Sequence, residues 1–483
     1  MKVAVKNDFL VRKSEMNYLN PVISIKGLDH GDPAVVKYNG KYFLYHTGPR
    51  KIRVYESTNL VEWKARGIAL HASDDPKHWA QVDLWAPEVI HENGTFYMYV
   101  TGAVMDEKGR GNDEIRRIGV AKSKSPLGPF TLATEPLTDE WSIDAHPFKD
   151  EDGQYYMYYN VRNEYTRGPN DVIGTGNVVD RMVDLETLSG NPTMVVAPEH
   201  NWEGNKEHSF FWNEGPFVLK KDGVYYQMYS AGFFGDDTYG VYYATSHTPM
   251  GDQGMDDTSW KKWDGGKPIL QTNDACHGPG HHVVVKGPNG VDDYIVYHGY
   301  EPDEDVQERR VRVGRFKWDG NHIWLEPPVK GELPYPTLPH FDGRFIDSIS
   351  EINNQLQGNS YEDFHFETNV SMNSAKEDLD FLTFHVNKES FIKWSFDNKS
   401  HSLTMEHVEN NETLSTVSYA LPTDYNFSSY HFIQLVKQNS TINLYVDKLL
   451  AFTVTVHSIS KGNVNILLDE KVGSVKGTIL TEL

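Results

Sequence analysis

The feature that most constrains this chain is a strand–turn–strand phrase that it repeats five times. The first copy, residues 32–45, opens on Asp32-Pro33, runs through a short apolar strand, turns at Gly40 and returns as Tyr42-Phe43-Leu44-Tyr45. The shape recurs from Trp85-Ala86-Pro87 through Gly94 to Phe96-Tyr97-Met98-Tyr99, and from Asp144-Ala145-His146-Pro147 through Gly153 to Tyr155-Tyr156-Met157-Tyr158. A fourth copy runs from Glu214-Gly215-Pro216 to Tyr225-Tyr226-Gln227-Met228-Tyr229, and a looser fifth from Gly280-His281-His282 to Tyr294-Ile295-Val296-Tyr297. Copies spaced at roughly 55 to 70 residues mark a radial or stacked repeat.

From about residue 20 to 325 the texture is uniform: short runs of Val, Ile, Tyr and Phe broken by Gly, Asn and Asp. Long stretches with a 3.6-residue apolar period are missing, so the region is all-β. Residues 52–57, 117–123 and 239–246 add strands to the units, and Trp63 and Trp263 close such units after a turn. Four strands in each of five units favour a five-bladed β-propeller over a pair of sandwiches, because radial closure leaves few exposed edges. Residues 326–341 contain Pro327, Pro328, Pro334, Pro336 and Pro339, and proline removes ladder donors, so the boundary falls there. The reading is a propeller over 1–325, a Pro-rich linker over 326–341 and an accessory domain over 342–483. Candidate strands at 363–368, 381–386, 390–396, 432–437 and 441–447 make the last a β-sandwich, jelly-roll or concanavalin-like.

Two domains suit a chain of 483 residues. The formal net charge of -22 argues against nucleic acid, an anionic membrane surface or a polyanionic substrate, and no window is apolar enough to span a membrane. The charge excludes these partners without naming one. The 27 Tyr, 22 Phe and 11 Trp suit sheets and also suit stacking against sugar rings. A single cysteine, Cys276, excludes an intramolecular disulfide and any CxxC site, and reads as a small buried residue. The first eight residues lack the apolar run of a signal peptide, so the chain as given reads as cytoplasmic, or secreted if a leader was removed. Asn-x-Ser/Thr triplets at Asn398, Asn411, Asn426 and Asn439 read as Asn-rich surface.

In a propeller, equivalent positions of different blades lie on one ring around the axis. Asp32, Asp144 and Glu214 hold the leading position in the first, third and fourth copies. Three converging carboxylates raise one another's pKa and are costly unless used. Acetal cleavage between sugars uses such a set: a protonated carboxyl hands a proton to the leaving oxygen, and an ionised one activates water or attacks the anomeric carbon. The competing reading is that Asp-Pro and Glu-Gly-Pro merely start turns, their carboxylates capping loop amides.

The motifs Asp32-Pro33, Trp85-Ala86-Pro87, Ile143-Asp144, Glu214-Gly215-Pro216 and Gly280-His281, in this order, resemble glycoside hydrolase family 43. The resemblance implies a five-bladed propeller and inverting hydrolysis of arabinose- or xylose-containing glycans without a required cofactor. It implies Asp32 as general base, Glu214 as general acid, and Asp144 as the residue that orients the acid and keeps its pKa high. Trp85 matches an aromatic lining the sugar pocket, although a blade-packing role fits as well. Arg309 matches a substrate- and carboxylate-contacting arginine, with Arg310 as its rival on the opposite face. His146 is expected near the pocket rim, or as a half-buried polar residue. His281 matches a histidine on the axis where many members hold calcium or a water; a lone imidazole would make any calcium structural. The fructosidase opening Trp-x-Asn-Asp-Pro-Asn-Gly and the Arg-Asp-Pro motif are absent. The sandwich is expected either to bind carbohydrate or to help wall off the pocket. The activity implied is exo-acting release of arabinofuranose or xylose from hemicellulose- or pectin-derived oligosaccharides, with a neutral oligosaccharide as the substrate. An endo-arabinanase and a non-catalytic sugar-binding propeller are the alternatives.

Overall fold

The computed structural model describes residues 16–251, 260–302, 304, 308–372, 379–456 and 459–483, so the first eight residues read above lie outside it. Five antiparallel four-stranded sheets follow one another along the chain, the third extended by a fifth strand, Thr193–Val196. We number them blades I to V. Their first strands are Ala34–Tyr38, Val82–Glu92, Ser142–Lys149, Asn213–Lys221 and His277–Lys286. Each first strand touches those of the blades on either side, and the fifth touches the first, which closes a ring. The five-bladed propeller is the fold.

The repeated phrase maps onto the innermost hairpin of each blade. Its turns at Asn39-Gly40, Asn93-Gly94 and Asp222-Gly223 hold both residues at positive φ, the type I′ geometry whose twist matches the strands it joins. The near-continuous aromatic runs of the second strands have a packing cause. Side chains alternate across a strand, and a blade is covered on both faces by its neighbours. In Lys41–His46 the alternate residues Tyr42 and Leu44 enter the core shared with blade V, while Phe43 and Tyr45 enter the core shared with blade II. Blades II/III and III/IV share two further cores. Among the described residues each blade takes its strands from one stretch of chain, and the N-terminal segment bridges back to blade V at Ile23 and Val311. Asn17–Tyr18 pairs with Leu333–Pro334, and Asn20 exchanges hydrogen bonds of 2.7 and 3.0 Å with the Val313 backbone.

At the start of the inner strands sits a second repeated device. Asp32, Ala86, Asp144, Gly215 and His281, one per blade, all have positive φ, and register shifts accompany those of blades II to V. Such bulges re-aim side chains, and non-glycine residues in this region of φ/ψ store strain at functional sites.

The C-terminal domain is a β-sandwich of a six-stranded and a five-stranded sheet around one apolar core that includes the fully buried Trp394. Phe341–Gly343 is already an edge strand of the six-stranded sheet. A helix, Ile349–Leu356, is capped by Ser348. No helix of the described residues is long and apolar enough to cross a membrane.

The sandwich docks on the turn ends of the blades. Asn93 Nδ2 donates to the Asp424 carbonyl and Asn93 Oδ1 accepts from Asn426 N–H, both at 2.7 Å. Thr481 Oγ1 donates to the Asn289 carbonyl at 2.7 Å, and Lys37 pairs with Glu367 at 2.7 Å. Backbone meets backbone at Gly40 and Gly477, where a Cβ on Gly40 would lie 2.8 Å from Gly477 Cα. These turns are at the far ends of the inner strands from Asp32, Asp144 and Glu214. The sandwich therefore covers the opposite face, and the expectation that it walls off the pocket is corrected.

Candidate active site

Asp32, Asp144 and Glu214 come together at the mouth of the ring and are 9, 7 and 8 % exposed. Their partners differ, and so do their charge states. Asp32 Oδ1 accepts from Arg309 Nη1 at 2.8 Å and its Oδ2 accepts from Thr47 Oγ1 at 2.5 Å. Thr47 in turn accepts the Ala86 N–H at 2.9 Å, so blade II fixes the rotamer of blade I's carboxylate. The Asp32 N–H donates to His298 Nδ1 at 3.1 Å. Burial, the largest single influence, would raise the Asp32 carboxyl, but the Arg309 guanidinium together with the His281 and His298 rings outweighs it and holds the group well below the usual carboxylate range.

The other two carboxyls are pushed the opposite way. Burial raises Glu214 to about 7, with the charge on Asp32 adding to it and a 2.7 Å hydrogen bond from the Tyr239 hydroxyl opposing it. Asp144 is also raised by burial and by the charges of Glu214 and Asp32. Its Oδ2 accepts the Gly215 N–H at 3.1 Å, which ties it to the backbone beside Glu214. The two together hold a proton for which Asp32 does not compete.

His281 lies between the blades. Its Nδ1 is 3.4 Å from Asp32 Oδ1 and 3.9 Å from Asp144 Oδ2, its N–H donates to Ser230 Oγ at 2.8 Å, and burial keeps the ring neutral. Among the described residues no cluster of three or more His, Cys, Asp or Glu is disposed to hold a metal ion. The donors around His281 thus do not fit a protein-ligated calcium centre, which wants several oxygens.

Arg309 and not Arg310 reaches the carboxylates. Arg309 also grips Asp29 through Nε and Nη2 at 3.1 and 2.6 Å, while Arg310 turns to Ser24 and Glu304. Trp85 is half-buried with one face covered by the Arg116 guanidinium, 3.6 Å from the ring centre and itself paired to Asp83 and Asp113. Only its other face is left for a ligand. His146 is a correction. Two residues further along the strand than Asp144, it is 6 % exposed, its ring 4.5 Å from Phe217 and its Nδ1 3.6 Å from Glu88 Oε1. The bulge between Ile143 and His146 turns Asp144 to the mouth and leaves His146 inside, away from the rim. Cys276 is buried, and burial pushes its thiol up to about 12.

Sequence reasoning missed Tyr239, Thr47, Asp29 and His298. The leading glycine of blade V is the one signal for Tyr239: a Cβ on Gly280 would lie 2.2 Å from the Tyr239 ring. The residue that replaces a carboxylate there makes room for the tyrosine that reaches Glu214.

An ionised carboxylate and a protonated pair around one buried space perform acid–base cleavage of acetals, which places the chain among the propeller glycosidases. Residues 18–324 match Glycosyl hydrolases family 43, and the chain belongs to that family. A crystal structure of a thermostable family-43 glycoside hydrolase is 37% identical, with TM-score 0.57 over 66% of this chain and 99% of that one. A xylosidase/arabinosidase of Bacteroides ovatus is 29% identical over 358 residues, 65% of this chain and 98% of the relative. A beta-D-galactofuranosidase of Aspergillus niger is 29% identical over 306 residues, 58% of this chain and 77% of the relative. A GH43 protein of Bacillus licheniformis, 17% identical with TM-score 0.51, matches 97% of this chain and 100% of its own, and so shares the fold through both domains.

Proposed function

We propose that the protein is an inverting, exo-acting glycosidase that releases arabinofuranose or xylose from short hemicellulose- or pectin-derived oligosaccharides. The observation that carries this is the split among three buried carboxyls: Asp32 held ionised by Arg309, and Glu214 raised to about 7. Asp32 takes a proton from a water as that water attacks the anomeric carbon. Glu214 gives its proton to the departing glycosidic oxygen, and single displacement inverts the configuration. Asp144 orients the acid through the Gly215 backbone, and the two raised carboxyls share the proton that Glu214 delivers. Arg309 keeps Asp32 ionised and offers N–H groups to substrate hydroxyls, and the free face of Trp85 stacks on the sugar. Any calcium or water held on the axis would sit against His281, and none of these steps is routed through it.

The choice of sugar rests on relatives named for xylose, arabinose and galactofuranose release. A screen of nitrophenyl arabinofuranoside, xyloside and galactofuranoside, with NMR of the first-formed anomer, tests it. Release of arabinose or xylose with inverted configuration is expected; retention of configuration, or no release from any of them, overturns the proposal. Endo action is the second reading, favoured by the sandwich leaving the carboxylate face uncovered. Monomer from the earliest time points supports exo action, and a ladder of oligomers supports the alternative.

A further inference from the structure

Beside the carboxylates runs a row of aromatic side chains that the acid–base steps leave unused. Phe210, Trp212, Phe233 and Phe234 follow one another with ring centres 4.5, 5.1 and 4.9 Å apart. The first three are half-buried and Phe234 is 39 % exposed. The row borders the catalytic groups through Phe234 and through the strand that follows Trp212. Trp212 stands two residues before Glu214, and the Arg309 guanidinium that binds Asp32 lies 5.3 Å from the centre of the Phe234 ring.

The row is held in place by the fold. Two loops supply it, and both are tied to one atom: the Glu203 carbonyl accepts from Trp212 N–H at 2.9 Å and from Gly232 N–H at 3.3 Å. Glu203 is itself fully buried and paired with Lys262 at 2.5 Å. The second loop is closed by Thr238, whose N–H and hydroxyl donate to Asp236 Oδ1 at 2.8 and 2.5 Å and whose Oγ1 accepts the Phe233 N–H at 2.9 Å. The loop then runs directly into Tyr239, the donor to Glu214. Just past Phe234 is a hollow lined by Asp236, His277, Tyr300 and Glu301, rich in groups for sugar hydroxyls. One exposed Phe is ordinary, but a contiguous aromatic row bordering a site with polar groups beside it marks a ligand surface.

We propose that Phe234, backed by Phe233 and Trp212, is the platform for the sugar residue on the leaving side of the scissile bond. This rests on the glycosidase reading above. The buried carboxyls form the floor that holds the sugar being released, so the residue that departs with the Glu214 proton lies above them, at the rim. Its apolar C–H face stacks on the ring, and its hydroxyls face Asp236 and Tyr300. Arg309 is outnumbered by Asp29 and Asp32, and the hollow carries Asp236, Asp237, Glu301 and Glu304 against Lys206, so an anion is disfavoured there and a neutral sugar is the ligand that fits.

Binding in the hydrolytically silent Glu214→Gln background tests this without relying on turnover. The probes are arabinose and xylose against α-1,5-arabinobiose and xylobiose, titrated by calorimetry. Adding Phe234→Ala is expected to weaken the favoured disaccharide about 10-fold while moving its monosaccharide less than about two-fold, and Phe234→Trp is expected to restore disaccharide affinity. An equal change for both ligands, or no change for either, overturns the platform. Absence of hydrolysis by the wild type would instead overturn the proposed function and leave this binding contrast to decide the platform by itself.

Discussion

Arg309 Nη1 lies 2.8 Å from Asp32 Oδ1 while the rest of the same guanidinium grips Asp29. One cation from the last blade thus spans two acidic residues at the entrance of the first, and this ion pair adds to the backbone bonds that join Val22, Ile23 and His30 to Val311 and Arg309. The glycine before Asp32 belongs to this arrangement, since a Cβ on Gly31 would lie 1.8 Å from the Arg309 guanidinium carbon.

Removing that cation takes away the strongest influence that lowers the Asp32 pKa and leaves burial to raise it against the weaker pull of His281 and His298. Arg309→Ala is therefore expected to move the acid limb of the kcat/KM–pH profile to higher pH and to lower the plateau by about 100-fold or more. Asp32 must be ionised to act, so the loss deepens as pH falls. An unmoved acid limb would show that Arg309 does not set the charge of Asp32.

Tyr239→Phe removes the hydroxyl that favours ionised Glu214. The Glu214 pKa, about 7 in the intact site, then rises, and activity persists to higher pH before the alkaline limb sets in. A limb that stayed in place, or shifted to lower pH, would contradict the assignment of that limb to Glu214.

Gly280→Ala places a methyl group against the Tyr239 ring. The expected outcome is a loss of about 1–3 kcal/mol in stability from overpacking, together with reduced kcat on natural linkages as Tyr239 leaves Glu214. Chemical denaturation and kcat on one disaccharide check both. Unchanged stability and turnover would mean that the ring yields freely.

Glu367 joins the sandwich to blade I through Lys37. Burial would raise its pKa, yet Lys37 and His365 bring it down to about 2. A depressed carboxylate contributes stability that is fully present above the unfolded value of about 4.3 and is lost as pH falls towards the folded one. Glu367→Gln is expected to cost about 3 kcal/mol at neutral pH and much less below the folded pKa of about 2. A cost that did not shrink on acidification would contradict the linkage.

The fold was legible because its signals are local and repeated. Asn39-Gly40, Asn93-Gly94 and Asp222-Gly223 each specify a hairpin turn without tertiary context, and five hairpins in series specify closure. The carboxylate trio was legible for a related reason, since the repeat itself aligns Asp32, Asp144 and Glu214. What escaped lies outside the repeat. Tyr239 is one of many tyrosines at strand starts, and only the loop geometry between 232 and 238 turns its hydroxyl to Glu214. Asp29 and Thr47 sit on loops whose positions depend on neighbouring blades. His146 was misplaced because a bulge, invisible in strand alternation, separates it from Asp144. The docking face of the sandwich likewise depends on turn-to-turn contacts, such as Asn93 with Asp424 and Asn426, that carry no motif.

The division of labour between Asp32 and Glu214 is tested most directly by leaving-group dependence. On a natural disaccharide, Glu214→Ala and Asp32→Ala are both expected to lose about 1,000-fold or more in kcat. On a dinitrophenyl glycoside, whose leaving group needs no proton, Glu214→Ala is expected to recover to within about 10-fold of wild type while Asp32→Ala stays inactive. Recovery by Asp32→Ala with Glu214→Ala remaining dead would reverse the two roles, and near wild-type turnover by both variants on the disaccharide would refute the site.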